Sequence, residues 1–121
     1  MADYRVGIVG CGGMGNAHAR GYQQADGCRI VAGTEADPEK SVAFAGAFGV
    51  EHMYTDYREM LEREDLDLIS VCTWPTTHCD ITLAAAEKGP GGIICEKPLA
   101  VTLDEADRML EACDSNNVAL A

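Results

Sequence analysis

The sequence predicts an α/β domain in which helices cover both faces of a parallel sheet, a doubly wound architecture. Three observations lead to this prediction. Strand-like and helix-like segments alternate from one end of the chain to the other. The connections between them are short. The strand segments are continuous apolar runs, which is typical of strands buried on both faces. We therefore expect one three-layer domain over residues 1–121.

Six segments have the apolar, partly β-branched composition and the flanking turn residues of strands. They cover residues 5–10, 28–33, 52–55, 66–72, 93–95 and 118–121. Proline and glycine at 90–92 form the turn before the fifth strand, and Asn116 with Asn117 forms the turn before the sixth. One helical segment lies in each gap between the strands.

The first helix follows the glycine-rich loop after the first strand, and the next two begin at capping residues. Asp37 caps the second helix, Pro38 occupies its first turn, and Gly49 ends it. Asp56 and Glu59 are spaced as a capping box for the third helix.

The fourth helix is expected to open at Thr76 or Thr77 and to end at Gly89. Thr102 and Glu105 are spaced as a capping box for the fifth. Helical spacing predicts which side chains face the sheet. They are Met14, Ala17, His18 and Gly21, then Val42, Ala45 and Phe48, then Met60 and Leu61, then Ile81, Ala84 and Ala85, and finally Ala106, Met109, Leu110 and Cys113.

The formal net charge of −11 restricts the partners of the chain. An acidic surface repels nucleic-acid phosphates and anionic lipids, so we expect neither as a partner. One dinucleotide stays compatible with this charge, because backbone dipoles at a helix N-terminus can hold a pyrophosphate. No apolar run approaches the roughly 20 residues that span a bilayer. The chain also enters a strand almost at once, so we expect no signal peptide.

The cysteines favour a reducing compartment. There are six of them, none in C-x-x-C spacing and several in apolar runs: Cys11, Cys28, Cys72, Cys79, Cys95 and Cys113. This pattern favours buried, reduced thiols in a cytoplasmic protein. The alternative is a zinc site on Cys72, His78 and Cys79, which is disfavoured because no second ligand pair has zinc-site spacing. We expect no metal.

The loop GCGGMG follows the first strand and opens the first helix as a G-x-G-x-x-G motif. In a dinucleotide site Gly10 permits the tight turn, Gly12 leaves room for a pyrophosphate, and Gly15 lets the helix pack close to the strand. The N–H groups near Gly13 and Met14 would point at the phosphates. A purely structural glycine turn has the same pattern, so the motif alone leaves both interpretations open.

Glu35 lies at the end of the second strand, twenty positions after Gly15. A dinucleotide site needs a carboxylate at about this place for the adenosine ribose hydroxyls. The carboxylate would also repel a 2′-phosphate, which favours NAD over NADP. Asp37 is the alternative ribose acid, and an ordinary loop acid is the alternative interpretation of Glu35.

Two further clusters follow the fourth and fifth strands. They are Thr73, Trp74, Pro75 and His78, and then Glu96, Lys97 and Pro98. In a doubly wound sheet the ends of the first, fourth and fifth strands face one crevice, at the switch in strand order where ligands bind. We therefore expect both clusters to belong to the cofactor site.

Within these clusters each side chain has a functional and a structural interpretation. Lys97, directly after a buried strand, can donate to a ribose or substrate hydroxyl, or it can be a solvated lysine. Trp74 either packs on the cofactor or covers the sheet edge. His78 either orients part of the site or is a satisfied histidine at a helix start. We interpret His18 and His52 as structural.

The chain resembles the N-terminal domain of the glucose–fructose oxidoreductase and inositol dehydrogenase family, Gfo/Idh/MocA. The resemblance runs almost end to end, through VGIVGCGGMGNAHARGY, ADPEK with AFGV after it, VCTWPTTH and IICEKPLAVTLDEADRML. Glu96-Lys97-Pro98 in that setting is similar to the family's E-K-P signature, which is more specific than the glycine motif. Trp74, where many members have proline, is similar to the inositol dehydrogenase branch.

The resemblance implies a Rossmann fold, a reaction and residue roles. Members exchange hydride between NAD or NADP and a sugar or polyol hydroxyl or ketone. By the motif, Lys97 would contact the substrate hydroxyl and the nicotinamide ribose and would be the catalytic residue. Glu96 would help fix that lysine, and Pro98 would shape the turn.

Family members continue into a second α/β domain that holds the substrate pocket and an acid/base histidine. This sequence ends at Ala121, so we expect it to bind NAD without completing catalysis alone. A noncatalytic NAD-binding module and the cofactor domain of an NAD-dependent glycosidase remain alternatives. The short terminal strand is expected to be frayed or paired with another molecule, which implies self-association.

Overall fold

The structure is a computed structural model that describes residues 3–121, so the first two residues of the predicted domain lie outside the described part. Six strands and five helices alternate along these residues. They are β1 (Tyr4–Val9), α1 (Gly13–Gln24), β2 (Cys28–Thr34), α2 (Pro38–Phe48), β3 (His52–Tyr54), α3 (Tyr57–Arg63), β4 (Leu68–Val71), α4 (Pro75–Glu87), β5 (Gly92–Cys95), α5 (Leu103–Ser115) and β6 (Ala119–Leu120).

All six strands pair in parallel in one sheet of order β3-β2-β1-β4-β5-β6. The chain builds outward from β1 to β3, returns to the other side of β1 with β4, and continues to β6. The order therefore reverses between β1 and β4, and the carboxyl ends of these two strands flank the switch point. The prediction of a doubly wound parallel sheet is confirmed.

The core consists of two apolar clusters, one on each face of the sheet. Val6, Ile8 and Ile30 pack with Ala19 of α1 and Phe44 of α2 on one face. The other face packs against α3, α4 and α5. That cluster contains Val9, Val31, Ile69, Val71 and Ile93 from the strands and Met60, Leu61, Ile81, Ala85 and Cys113 from the helices. Alternate strand residues thus enter opposite layers, which is the predicted three-layer arrangement.

Three of the predicted helix caps are present as hydrogen bonds. Asp37 accepts from the N–H groups of residues 39 and 40, and Asp56 accepts from that of Arg58. Thr102 accepts from the Glu105 N–H at 3.1 Å. The Glu105 carboxylate in turn accepts from the Val101 N–H at 3.1 Å, one residue before the cap. Sequence spacing therefore placed the starts of α2, α3 and α5 correctly.

The predicted start of α4 at Thr76 or Thr77 is wrong. The helix begins at Pro75, with Trp74 as its N-cap. Proline suits the first helical position, because its ring fixes φ near the helical value and its missing N–H would have had no partner there. The Thr77 hydroxyl does not cap the helix but lies 2.7 Å from the Trp74 carbonyl, to which it donates.

Several of the predicted inward-facing residues are exposed. Val42 is 74% exposed, and Phe44 is the buried residue of α2. Met14 and Leu110 are about half exposed, whereas Ala19 and Met109 fill the corresponding core positions. The apolar residues of these helices extend around more of the surface than one face. Spacing alone therefore did not fix the rotation of the helix about its axis.

The terminal strand β6 is held on one side. Its neighbour Ala121 donates to the Ile93 carbonyl and accepts from the Cys95 N–H, both at 2.9 Å. The Ala119 N–H donates to the Gly91 carbonyl at 3.1 Å. These bonds attach residues 119–121 to β5, and the opposite side of β6 is an edge of the described sheet.

Candidate functional site

A cleft of about 850 Å³ opens at the carboxyl ends of the central strands. Its walls come from the loop after β1, the end of β2, the start of α3 and the loop after β4. The lining includes Gly10, Gly12, Gly13, Met14, Glu35, Lys40, Tyr57, Arg58, Thr73 and Trp74. Seven of these ten residues were predicted as cofactor contacts from the sequence, and the switch point explains why they meet.

The glycines of the first loop have different structural roles. Gly10 has a φ of +90°, and a Cβ there would lie 2.7 Å from the Cys72 carbonyl oxygen. A Cβ on Gly15 would overlap the Gly10 carbonyl, so α1 packs directly against the turn. A Cβ on Gly12 or Gly13 would meet no atom within 4 Å, so these two positions face open space. The loop is therefore tight at its two ends and open in its middle.

The side chain of Asn16 holds this loop in shape. Its Nδ2 donates to the carbonyl oxygens of Cys11 and Gly12, at 3.1 and 2.8 Å. The Cys11 thiol lies beneath the loop and donates to the Thr34 carbonyl at 3.5 Å. Burial, with a contribution from the negative charge of Glu35, raises the pKa of this thiol to about 12. Cys11 is thus a neutral packing residue at physiological pH.

The N-terminus of α1 differs from those of three other helices. Helices α2, α3 and α5 each have a side-chain cap and an acidic residue in the first turn. Helices α1 and α4 have neither. They are the two helices that follow β1 and β4, the strands on either side of the switch point. Their first N–H groups and positive dipole ends therefore have no carboxylate of the helix itself to neutralise them.

Glu35 leaves β2 and turns its carboxylate toward the glycine loop. Its Oε1 accepts from the Cys11 N–H at 3.0 Å, and its Oε2 accepts from the Asp37 N–H at 2.9 Å. Each carboxylate oxygen has a further lone pair, so the group can still accept from a ligand hydroxyl. Glu35 lines the cleft, whereas the Asp37 carboxylate is engaged as the cap of α2.

Two cations line the cleft together with Glu35, and neither was predicted from the sequence. They are Lys40, in the first turn of α2, and Arg58, whose guanidinium carbon lies 5.2 Å from the centre of the Tyr57 ring. A guanidinium over an aromatic face is a stabilising cation–π arrangement. The lining also contains the carboxylates of Glu35 and Asp56, and Asp56 lies 4.0 Å from the Arg58 guanidinium, so the cleft has no net charge in a domain whose net charge is −11.

Trp74 is 81% exposed at the mouth of the cleft. It follows Thr73, whose hydroxyl lies 2.6 Å from the Thr77 hydroxyl. Pro75 then starts α4. An exposed indole on the cleft wall leaves a large apolar face available to a planar ligand, while its backbone forms the N-cap of α4.

His78 is fully buried under the loops that follow β4 and β5. Its Nδ1 lies 2.9 Å from the Pro98 carbonyl oxygen and its Nε2 lies 3.0 Å from that of Thr73. The ring therefore joins the two predicted clusters. Among the described residues no group of three or more histidine, cysteine, aspartate or glutamate side chains could hold a metal ion.

Glu96 directly follows β5 and contacts His18, which we interpreted from the sequence as structural. Its Oε2 lies 2.8 Å from Nε2 of His18 on α1. This hydrogen bond is the main reason that the pKa of Glu96 is below its ordinary value. The peptide bond between Lys97 and Pro98 is cis. Lys97 itself is exposed, and within residues 3–121 its ammonium group forms no ion pair.

The predicted site residues thus fall into two groups. Gly10, Gly12, Gly13, Met14, Glu35, Thr73 and Trp74 line the cleft. Gly15, Pro75, His78, Glu96, Lys97 and Pro98 do not, although His78 links Thr73 at the cleft wall to Pro98. The glycine loop and Glu35 therefore form part of the cleft wall. The segment that contains Lys97 lies outside the cleft and follows β5, the strand next to β4.

An open parallel sheet of this strand order, with a G-x-G-x-x-G loop at its switch point, defines the class of dinucleotide-binding domains of the Rossmann type. The family model described as "Oxidoreductase family, NAD-binding Rossmann fold", GFO_IDH_MocA, matches residues 4–121. The chain belongs to the Gfo/Idh/MocA oxidoreductase family and is its NAD-binding Rossmann domain.

Individual relatives are similar over nearly the whole chain. D-apiose dehydrogenase of Paraburkholderia graminis is 36% identical over 97% of this chain and 31% of its own length. Myo-inositol 2-dehydrogenase of Thermotoga maritima is 31% identical over 96% of this chain and 34% of its own length. The crystal structure of the WlbA dehydrogenase from Bordetella pertussis, in complex with NADH and UDP-GlcNAcA, superposes with a TM-score of 0.90 at 28% identity, over 98% of this chain and 36% of that one. The chain spans about a third of the length of these relatives.

No helix within residues 3–121 is long and apolar enough to cross a membrane.

Proposed function

We propose that this domain binds NAD in preference to NADP along the carboxyl edge of its sheet. We further propose that it serves hydride exchange with a sugar or polyol hydroxyl. The observation that carries the proposal is the open middle of the glycine loop, with the Glu35 carboxylate hydrogen-bonded beside it. The named relatives supply the substrate class, since they are D-apiose and myo-inositol dehydrogenases.

The pyrophosphate would lie against Gly12 and Gly13. No atom of the protein occupies the space that a side chain would take at these positions. The first N–H groups of α1 point out of an uncapped helix end, and the positive end of the dipole favours an anion. Met14 lines the cleft beside them, and Gly10 and Gly15 keep the loop tight.

Glu35 would accept hydrogen bonds from the adenosine ribose hydroxyls. Its carboxylate already fixes the Cys11 and Asp37 N–H groups, so the acceptor oxygens are held in place before a ligand arrives. A 2′-phosphate at this position would approach a fixed negative charge. Lys40 and Arg58 also line the cleft and would attract that phosphate, so the proposed preference for NAD depends on the charge of Glu35.

The nicotinamide half would extend past Thr73 and Trp74 toward the strands beyond the switch point. NAD supplies the hydride acceptor of the reaction. Lys97, exposed after β5, would donate to the nicotinamide ribose and the substrate hydroxyl and is the proposed catalytic residue. The loops that carry Thr73, Trp74 and Lys97 would be held in place by their neighbours Pro75, His78, Glu96 and Pro98.

A positioned substrate carbon and a proton acceptor are both required for hydride transfer. The chain corresponds to about a third of each named dehydrogenase. We therefore propose one dinucleotide-binding domain over residues 1–121 and expect negligible polyol oxidation from these residues alone. The six unpaired cysteines support a reducing, cytoplasmic location for the protein.

Titration of this chain with NADH and NADPH tests the proposed cofactor preference. We expect NADH to bind about tenfold or more tightly than NADPH, and we expect Glu35→Gln to reduce that ratio by about tenfold. Glutamine keeps one acceptor oxygen for the loop and removes the charge. Asp37→Asn is the matched control and should leave the ratio unchanged. An NADPH affinity equal to that for NADH in the unmodified chain would refute the preference.

A further inference from the structure

A chain of four polar side chains crosses the layer between α1 and the sheet. The Tyr22 hydroxyl lies 2.8 Å from Ser70 Oγ, and Ser70 Oγ lies 2.9 Å from His18 Nδ1. Nε2 of His18 then lies 2.8 Å from Glu96 Oε2. Ser70 is fully buried between Ile69 and Val71, which pack on the opposite face. These hydrogen bonds therefore connect α1, the helix that follows the glycine loop, to Glu96, the residue before Lys97.

The direction of these bonds follows from the available protons. A carboxylate only accepts, so Nε2 of His18 carries a proton and donates a hydrogen bond to Glu96. In the neutral ring Nδ1 is then an acceptor, and the Ser70 hydroxyl donates to it. The Tyr22 hydroxyl donates in turn to Ser70. Every member is satisfied in this arrangement, which burial of a serine within a sheet requires.

The segment on the other side of Lys97 is held from the opposite layer. His78, on α4, contacts the Pro98 carbonyl oxygen at 2.9 Å and the Thr73 carbonyl oxygen at 3.0 Å. Lys97 therefore lies between two residues that histidine side chains contact. His18 contacts Glu96 from the α1 side of the sheet, and His78 contacts Pro98 from the α4 side. The lysine is exposed, whereas both of its neighbours are attached to buried structure.

We propose that His18 and His78 are positioning residues that fix the backbone on either side of Lys97, so that its ammonium group faces the nicotinamide end of the dinucleotide. The inference rests on the proposed function. Because His18 and the phosphate-binding loop belong to the same helix, α1 sets the distance between the pyrophosphate and Lys97. His18 thus has a role in the site that its place in the sequence does not reveal.

Binding of NADH and of ADP by His18 variants tests this role. ADP reaches the glycine loop and Glu35 but has no nicotinamide end, so general damage to the domain would weaken both ligands. We expect His18→Leu to weaken NADH by about tenfold and ADP by less than about twofold. His18→Gln should keep NADH within about threefold of the unmodified chain, because its amide N–H can still donate to Glu96.

A matched control and a ligand-free measurement complete the experiment. His52 makes a similar bond to a carboxylate, 2.9 Å from Glu64, in β3 and away from the cleft. His52→Leu should leave the ratio of NADH to ADP affinity unchanged. In the unmodified chain without ligand, nitrogen-15 NMR of the imidazoles should show the His18 proton on Nε2.

Two results would overturn the inference: equal weakening of ADP and NADH in His18→Leu, or a neutral His18 ring with its proton on Nδ1. The NMR result decides the matter even where His18→Leu does not fold. If the unmodified chain binds ADP but gains nothing from the nicotinamide half, the inference fails while the adenosine side of the proposed function stands. If it binds neither ligand, the proposed function itself fails.

Discussion

At the scale of single residues, two glycines of the same loop are expected to have different roles, Gly15 in stability and Gly12 in cofactor binding. A methyl group on Gly15 would overlap the Gly10 carbonyl, whereas Gly12 faces open space. We expect Gly15→Ala to lower the free energy of unfolding by about 3 kcal/mol. We expect Gly12→Ala to change it by less than about 0.5 kcal/mol and yet to weaken NADH binding by about tenfold, because the methyl group takes the place of the pyrophosphate.

Urea unfolding and NADH titration of both variants check this prediction. A stable Gly15→Ala domain would show that the loop can relax away from α1. Full NADH affinity in Gly12→Ala would show that the pyrophosphate does not approach this residue.

The thiols of Cys11 and Cys72 should be resistant to alkylation in the folded chain. Burial raises the pKa of each to about 12, from an ordinary value of 9.0. At pH 8 the thiolate fraction is then about a thousandfold smaller than in an unfolded chain. Because the pKa is raised, stability from these groups is complete below pH 9 and is lost as the pH rises toward 12.

Iodoacetamide labelling at pH 8, followed by mass spectrometry of each cysteine peptide, measures this protection. The same labelling in urea is the control. Alkylation of Cys11 in the folded chain at its rate in urea would contradict the described packing beneath the glycine loop.

Several residue roles could be predicted from the sequence and others could not. The first glycines of the motif, Glu35 and Trp74 follow from their positions after strands, and they do line the cleft, whereas Gly15 packs against the turn. The contact between His18 and Glu96 joins residues 78 positions apart. It depends on which way α1 is rotated, which local patterns do not fix. A serine within the apolar strand LISV was the available signal, because a buried hydroxyl requires a partner.

At the scale of elements, the start of α2 connects helix stability to the cofactor site. Asp37 caps the helix with its carboxylate, while its backbone N–H donates to Glu35. We expect Asp37→Ala to lower the free energy of unfolding by about 1 kcal/mol, because the helix loses its side-chain cap. Asp37→Asn should lower the free energy of unfolding by only about 0.3 kcal/mol, because asparagine is an equally good cap.

NADH affinity measured on the same two variants decides whether Asp37 or Glu35 is the ribose acid. We expect Asp37→Asn to bind NADH as the unmodified chain does. A tenfold loss of affinity in Asp37→Asn, of the order expected for a lost hydrogen bond to a charged group, would transfer the ribose role to Asp37.

The order and type of the elements were predictable, whereas their rotation was not. Alternating short strands and capped helices leave few alternatives to a doubly wound sheet, and the sheet has the expected switch point. Exposed Val42 and Leu110 show the limit, because both satisfy helical spacing and both face outward. The apolar residues of α2 and α5 lie on more than one face of each helix, and packing against the strands decides which of them are buried.

At the scale of the whole molecule, the exposed edge of β6 and the net charge act in opposite directions. Residues 119–121 pair with β5, and the other side of β6 presents unpaired backbone groups at the edge of the described sheet. A net charge of −11 repels a second copy at low salt. We therefore expect self-association to increase with salt, because screening removes the repulsion and leaves the edge available.

Sedimentation velocity at low and high salt measures this. A chain that stays monomeric in both conditions at high concentration, with slow amide exchange at residues 118–120, would contradict the prediction. In that case β5 and α5 alone would be sufficient to protect the last strand.

We propose that one dinucleotide lies along the carboxyl edge of the sheet, from Glu35 past the glycine loop to Lys97. The most direct measurement is a titration of the nitrogen-15-labelled chain with NADH, followed by amide chemical shifts. We expect shifts at Gly12, Glu35, Trp74 and Lys97 together, and none at Gly89 at the opposite edge, before β5. Shifts confined to the opposite edge, or absent from Gly12 and Glu35 at saturation, would contradict it.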